Sequence, residues 1–401
     1  MTRLLHDTLH EWAGETRVPH DLADRALRRR AWRPAAAAML AVGVMVAAVA
    51  VFVSGVREPE VTVRPANGIT LPARPSPAPT DVGADTENRP PAKLIAAGSM
   101  AVSAYYVYSR EQVSENQERI RRTWSLYDPR TGGYEKTSWA WVDAAPGLQV
   151  AAVLEGELIS KRLGILDMNT RKILKWFDLE HPAGAVSWSP DGTKVLATTY
   201  SSYPETLEGK GDQAMTPGSP RTGYYIIDVE AGTAEHHELG PLPDWRTSME
   251  NEGPSNSNAR QDLGWTLDGG MLWAPTNTMP DRVFYSLGGE PQDAPKGQQY
   301  VAYSRISAIS PNGRLVLGPD GLPTRITDRE TGEIVGRQNV LQLHAWADDD
   351  NVIGLGCAGT CGDEFNNGLV LVSVDGKRMT QLAQYGDSDK DGSWRAVLTP
   401  R

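Results

Sequence analysis

From about residue 92 onward the chain alternates short apolar runs with turn-forming residues, and the runs recur in a fixed order. An apolar strand ends in Asp-Gly or Asn-Gly, a second apolar strand follows, and a third closes on Asp-x-x-x-Gly. The fullest copy reads SWSPDGTKVLATTY over residues 187–200 and, after an insertion, GYYIIDVEAGTAEHHEL over 223–239. Runs of this length, rich in β-branched and aromatic residues and broken by Gly, Pro, Asn and Asp, predict strands rather than helices. The first strands align as WAWVDAAPG from Trp139, VSWSPDG from Val186, LGWTLDG from Leu263, ISAISPNG from Ile306 and LHAWADDD from Leu343. Pro146 and Pro190 stand 44 residues apart, Leu267 and Pro311 also 44, and Pro311 and Asp348 37. Periods near 40 holding four short strands predict propeller blades.

The expected fold is therefore all-β: a six-bladed β-propeller, with seven blades as the alternative. The blades fall near residues 98–140, 141–182, 183–243, 260–301, 302–340 and 341–385. The first lacks a strand at its front, and the tail SWRAVLTPR, residues 393–401, is placed to supply it and close the ring. Closure removes the exposed strand edges that template aggregation. Two polar insertions, GKGDQAMTPGSPR at 209–221 and SMENEGPSNSNAR at 248–260, interrupt the repeat. The recurring Trp124, Trp139, Trp188, Trp265 and Trp346 are expected to pack blade against blade rather than to cage a ligand.

Ahead of the repeat the pattern changes twice. Residues 35–56, AAAAMLAVGVMVAAVAVFVSGV, contain no charge and are long enough to span a bilayer as one transmembrane helix. Arg28, Arg29, Arg30 and Arg33 precede it, whereas Arg57 and Arg64 follow among acids, so positive-inside counting places the N-terminus in the cytoplasm. A cleaved signal peptide ending near Ala48-Val49-Ala50 is the alternative, although the apolar run continues past that point. Residues 1–34 form a short cytoplasmic segment, with Leu4, Leu5, Leu9, Trp12, Val18, Leu22 and Ala26 at helical intervals. Residues 57–91 are a Pro-rich linker suited to an extended spacer, and 92–401 the extracytoplasmic propeller.

Charge sharpens this division. The first 34 residues carry seven arginines against five acids, and the remainder 33 basic against 45 acidic residues. An acidic large domain argues against nucleic acid as its partner. Of the two cysteines, Cys357 and Cys361 in GCAGTCGDEFNNG, a zinc site would need further ligands that no nearby histidine supplies. They read as a short-loop disulfide in an oxidising compartment, with two free thiols as the other reading.

The strings SWSPDGTKVL, residues 187–196, and ISPNGRLVL, residues 309–317, resemble those of the WD40-like and TolB-like β-propeller families over roughly residues 95–401. The strict Gly-His and Trp-Asp signatures of eukaryotic WD40 blades are absent, so the TolB-like side fits better. An arginine-rich cytoplasmic segment, one anchor and an outer propeller is similar to the membrane-anchored propeller proteins of actinobacteria. The opening segment also resembles, more distantly, the cytoplasmic parts of anti-sigma regulators, without the His-x-x-x-Cys-x-x-Cys motif of one such class. The propeller resemblance implies architecture and leaves function open, because the fold hosts many unrelated activities.

Candidate chemistry is sparse. There is no Gly-x-Ser-x-Gly elbow and no phosphate-binding glycine loop, and the adjacent His236 and His237 point to opposite faces of a strand. In GDSDKDGSW, Asp387, Asp389 and Asp391 alternate before Gly392 and could wrap a calcium ion. Leu398 stands where an EF-hand needs its glutamate, so only a looser calcium loop fits, against a solvated acidic turn. The resulting expectation is a non-catalytic, membrane-anchored binding, scaffold or sensor module with a protein or peptide ligand on one propeller face. A signalling role, in which residues 1–34 bind a cytoplasmic regulator, and a propeller enzyme are the alternatives.

Overall fold

The computed structural model describes residues 68–76, 79–209, 216, 218–244, 253–277, 281–295, 298, 308–317, 325–359, 367–385 and 392–401. Among them every regular element is a β-strand. No helix of the described residues is long and apolar enough to cross a membrane; the apolar segment 35–56 lies outside them, as does all of 1–67.

The strands form antiparallel meanders. Trp141–Ala144, Val150–Leu154, Ser160–Asp167 and Ile173–Trp188 pair in sequence. The last of these is 16 residues long and continues, past a register shift at Ala183 and Ala185, into pairing with Lys194–Tyr200, then Arg221–Asp228 and Thr233–Glu238. One strand thus ends one blade and begins the next. Gly264–Trp265 to Pro291–Gln292 form a further four-stranded sheet, and Gln342–Trp346 to Met379–Gln384 another. Between them Leu315–Leu317, Arg325–Asp328 and Ile334–Arg337 form a three-stranded sheet, extended by a bridge from Ile309 to Val316. The architecture is a β-propeller.

The chain ends meet as the incomplete first blade requires. Trp394–Pro400 pairs antiparallel with Met100–Ser114, from Met100 opposite Pro400 to Val107 opposite Trp394. Between the two strands Ser103 Oγ lies 2.7 Å from Thr399 Oγ1, a buried hydroxyl pair that satisfies both polar groups.

The repeated motif is a repeated turn. Ser189, Thr266, Ser310 and Ser373 each donate a hydroxyl proton to the residue two positions on, Asp191, Asp268, Asn312 and Asp375, at 2.5 to 2.8 Å. The same side-chain oxygens accept from the backbone N–H of Thr193, Gly270, Arg314 and Lys377. The turn needs a left-handed residue, supplied by Gly192, Gly269, Gly313 and Gly376 at φ near 70°. The second turn closes with Gly132, Gly232 and Gly332 donating to the carbonyls of Asp128, Asp228 and Asp328.

Tryptophans knit the blades as the sequence suggests. Trp188 Nε1 donates to the carbonyl of Asp143 at 3.0 Å, Trp265 to Ser187 at 3.1 Å and Trp346 to Ala308 at 2.8 Å, each reaching the start of the preceding blade. Trp124 donates the other way, to the carbonyl of Ala140 just ahead of the next blade, and Trp139 packs edge-on against Trp176 within its own blade. Each buried indole removes a large apolar area from water, worth about 1.5–3 kcal/mol for a large side chain, and its N–H keeps a partner.

Part of the Pro-rich segment is docked rather than extended. Ile69 and Leu71 pack against the core, Arg74 donates to the carbonyl of Pro190 at 3.3 Å, and Gly83 bridges Ala96. Asp85 is buried and accepts from the backbone N–H groups of Asn88, Ala92 and Lys93. Burial would raise its pKa, but the Asn88 amide and these N–H groups outweigh that and hold it below the ordinary value. A composition rich in proline hides this anchor because one carboxylate and two apolar side chains carry it.

Candidate binding site at the insertion end

A meander sends its connections alternately to its two ends, so the repeat sorts itself spatially. The tight Asp-Gly and Asp-x-x-x-Gly turns collect at one end of the ring. At the other end lie, among the described residues, the second-to-third-strand connections of the first three blades and the crossing within Ile173–Trp188. The hairpin joining Met100–Ser114 to Gln117–Asp128 also extends at this end, well past the blade it belongs to.

That extension is captured by an insertion from two blades away. Thr206–Glu208 pairs antiparallel with Arg119, Glu118 and Gln117, and Tyr203 Oη donates to the carbonyl of Ile120 at 2.9 Å. Ile120 and Arg122 of the hairpin and Leu207 of the paired strand border a cavity of about 430 Å³. Its walls combine apolar Ile120, Val186, Leu207 and Trp273 with charged Arg122, Glu205, Arg260, Asp262 and Arg282.

The charges are organised around Glu205, whose side chain is only 8 % exposed. Arg122 reaches it with a two-pronged contact, Nε to Oε2 at 3.0 Å and Nη2 to Oε1. Arg260 Nη2 stands 3.0 Å from Oε2 as a charge contact whose N–H direction does not make a hydrogen bond. Arg260 Nη1 also donates to Asp262 at 3.1 and 3.2 Å and to the carbonyl of Gly184 at 3.0 Å. Tyr200 Oη donates to Asp262 Oδ1 at 2.7 Å and accepts from the Gln261 N–H at 3.1 Å. The guanidinium of Arg260 lies 4.4 Å over Trp141, and that of Arg122 4.2 Å over Tyr106.

The protonation states follow. Burial opposes the charge of Glu205, but Arg260 and Arg122 together hold its pKa below the ordinary value. Burial would lower Arg260, and Asp262 and Glu205 raise it instead. Tyr200 is pushed well above its usual value by burial and by Asp262, so it stays a hydrogen-bond donor. Both carboxylates with a partner in this group are ion-paired, and buried pairs of this kind hold geometry because losing one partner strands the other.

A second, smaller cavity of about 140 Å³ opens toward the tight turns, between Asp143, Ser187, Thr266 and Thr399 in or next to four first strands. Arg282 lines both cavities. Its guanidinium lies 3.9 Å from the ring centre of Trp273. That ring occupies the space a side chain at Gly264 would need, with a Cβ there meeting it at 2.3 Å.

Of the residues singled out from sequence as sites only Cys357 is described, and it lines neither cavity. Asp387, Asp389 and Asp391, the calcium candidates, are outside the described residues, as is Cys361. Cys357 is disulfide-bonded. Among the described residues no group of three His, Cys, Asp or Glu side chains could hold a metal ion. Sequence reasoning missed the Arg122, Glu205, Arg260 and Asp262 cluster, whose only signal is that Glu205, Arg260 and Asp262 border the two insertions.

No family model matches the chain, and no curated protein matches it. Among solved structures it is similar to TolB from Acinetobacter baumannii, at 18% identity over 75% of this chain and 67% of that one, with a TM-score of 0.37. It is also similar to the Cps50 (Swd1) β-propeller domain from Myceliophteria thermophila, at 11% identity over 76% and 98%, TM-score 0.37. Hydrazine synthase from Kuenenia stuttgartiensis matches at 14% identity over 66% of each chain, TM-score 0.30. At such scores the likeness carries no argument, and the propeller rests on the strand pairing described above.

Proposed function

We propose that this protein is a membrane-anchored, extracytoplasmic, six-bladed propeller that works as a non-catalytic binding module, with the insertion end as its binding surface. The count of six is supported by dividing the seven-stranded sheet within Ile173–Trp188 and taking the bridge at Ile309 as a first strand. The observation that carries the reading is the sorting of the two ends. Among the described residues one end holds short, internally satisfied turns, and the other holds the extended hairpin, the strand that pairs with it and the larger cavity.

Arg74 of the docked linker meets Pro190, and a side chain at Gly147 would run into Arg74; both partners belong to tight turns. Residues 68–76 therefore lie against the tight-turn end of the ring.

The reading is tested in intact cells by placing a photo-crosslinking phenylalanine analogue at Leu207 or at Thr170, on opposite ends of the ring. A discrete adduct from Leu207 and none from Thr170 is the expected result, with labelling of the propeller by a membrane-impermeant amine reagent. Adducts from Thr170 alone, or a propeller shielded from that reagent, would overturn it.

A further inference from the structure

We infer that a further cavity at the insertion end, beside Trp139, binds a neutral saccharide, with a sugar ring laid on the indole. This rests on the reading of the insertion end as the binding surface and names a ligand class for it.

Trp139 is the exception among the recurring tryptophans. Trp124, Trp188, Trp265 and Trp346 are buried and spend their indole N–H on a carbonyl at a blade boundary. Trp139 is only partly buried, packs edge-on against Trp176 of its own blade, and has no partner for its N–H among the described residues. Blade packing alone does not account for an indole whose apolar ring and polar edge are both open.

Trp139 borders instead a cavity of about 410 Å³, within the range of small-ligand pockets. Glu157 and Leu158, from the connection between the second and third strands of the second blade, place it at the insertion end. Tyr203, whose hydroxyl holds the hairpin at Ile120, reaches its wall.

The polar groups of this wall are of both kinds. Thr123 and Ser138 bring hydroxyls, Lys136 an ammonium and Trp139 its N–H, and none of these side-chain groups has a hydrogen-bond partner among the described residues. Glu157 accepts from Arg121 through Oε1 at 2.9 Å and keeps Oε2 open. Around Glu205, by contrast, carboxylates and guanidinium groups are paired with one another.

That mixture selects the ligand. An anion would meet the donors and be opposed by the open oxygen of Glu157, and a cation would be opposed by Lys136 and Arg121. A wholly apolar ligand would take water from every one of these groups and return no hydrogen bond. A molecule covered in hydroxyls donates and accepts at each of them, which matches hydroxyl, ammonium, indole and carboxylate partners at once. A sugar ring adds a face of C–H groups, the complement of an open indole. A free sugar and one unit of a glycan chain share this chemistry.

The test uses the full chain in phosphatidylcholine nanodiscs and calorimetric titration with glucose, galactose, mannose, arabinose and N-acetylglucosamine. Each is offered as the monosaccharide and as a linear trisaccharide, with acetate and inorganic phosphate as charged controls. Saturable binding of at least one sugar, at least tenfold tighter than either anion, is expected. Equal affinity for its two lengths identifies a free sugar, and tightening with length identifies a glycan chain. Trp139→Ala should weaken binding at least tenfold. Because that change also removes packing against Trp176, Ser138→Tyr is measured beside it; it fills the cavity from an exposed position and should abolish binding with an unchanged melting temperature. Asp268→Ala, in a tight turn at the other end, should leave affinity unchanged.

No sugar binding at millimolar concentration, sugar binding that either cavity substitution leaves intact, or an anion bound as tightly as the best sugar would overturn the inference. Failure here with a crosslinked adduct from Leu207 still present would leave the binding-surface reading standing. Sugar binding abolished by Ser138→Tyr, with adducts from Thr170 alone, would do the reverse.

Discussion

The two ends of the ring are built by opposite uses of the same residue types. At the tight-turn end, aspartates are spent locally: Asp191, Asp268 and Asp375 accept from hydroxyl and backbone groups two residues away. At the insertion end, carboxylates reach across the fold, Glu205 to Arg122 over 83 positions and Tyr200 to Asp262 over 62. Local bonds define a turn whatever surrounds it. Long-range bonds define a site that exists only once the ring has closed, and this is where variation in function can be built without disturbing the blades.

The contrast is broken most severely at Glu205. Glu205→Ala removes the carboxylate from between two buried guanidinium groups and is expected to cost about 3–5 kcal/mol, the penalty for stranding buried charge. Chemical denaturation of the full chain checks it, and a loss below about 1 kcal/mol would mean that the cluster is solvated in solution.

Trp188→Phe is the next largest. It leaves the carbonyl of Asp143 without its indole partner and opens a small void between two blades, for an expected loss of about 1–3 kcal/mol. An equal loss for Trp139→Phe, whose indole only packs edge-on against Trp176, would show that the inter-blade hydrogen bond is not what matters.

The tight turns respond more weakly and by titration. Asp268→Ala is expected to cost about 0.5–1.5 kcal/mol, the net worth of a typical hydrogen bond. The Gly270 N–H lowers the pKa of Asp268, the Thr331 N–H that of Asp328, and the Ser373 hydroxyl that of Asp375. Arg130 brings Asp128 down to about 2. Folded values below the unfolded value of about 3.9 mean that these groups contribute fully above that pH and lose their contribution as pH falls through the folded values. The melting temperature should therefore fall steadily from about pH 5 to about pH 2, and less steeply in Asp268→Ala. A flat profile would contradict the assignment.

Asp178→Ala is the smallest. Its ion pair with Arg162 at 3.2 Å is exposed on both sides, and a change within about 0.5 kcal/mol is expected; a larger one would blur the line between surface pairs and the buried cluster.

This division also explains what could be read from the chain beforehand. The turns were legible because serine, aspartate and glycine act within four residues, and the closing strand because the first blade was visibly short of one. The tryptophans were legible as packing, though not their N–H donation to the preceding blade. Arg122, Glu205, Arg260 and Asp262 were not legible as a group, since nothing in RRTW, PETL or RQDL alone marks a partner that only blade stacking brings near. The cavity borders the two insertions, with Thr216, Asn258 and Arg260 in its wall, and nothing in their composition marks those residues. The docked stretch around Asp85 escaped notice because its contacts are backbone N–H groups, which leave no mark in composition.

The central claim is that one end of the ring builds and the other binds. The most direct measurement replaces the hairpin tip, residues 112–118, by Asn-Gly and records melting temperature and the yield of the Leu207 photo-crosslinked adduct, beside Asp268→Ala. The account predicts that trimming the hairpin lowers the adduct yield at least tenfold while shifting the melting temperature by only a few degrees, and that Asp268→Ala lowers the melting temperature and leaves the adduct unchanged. An adduct lost with Asp268→Ala and retained in the trimmed hairpin would contradict it.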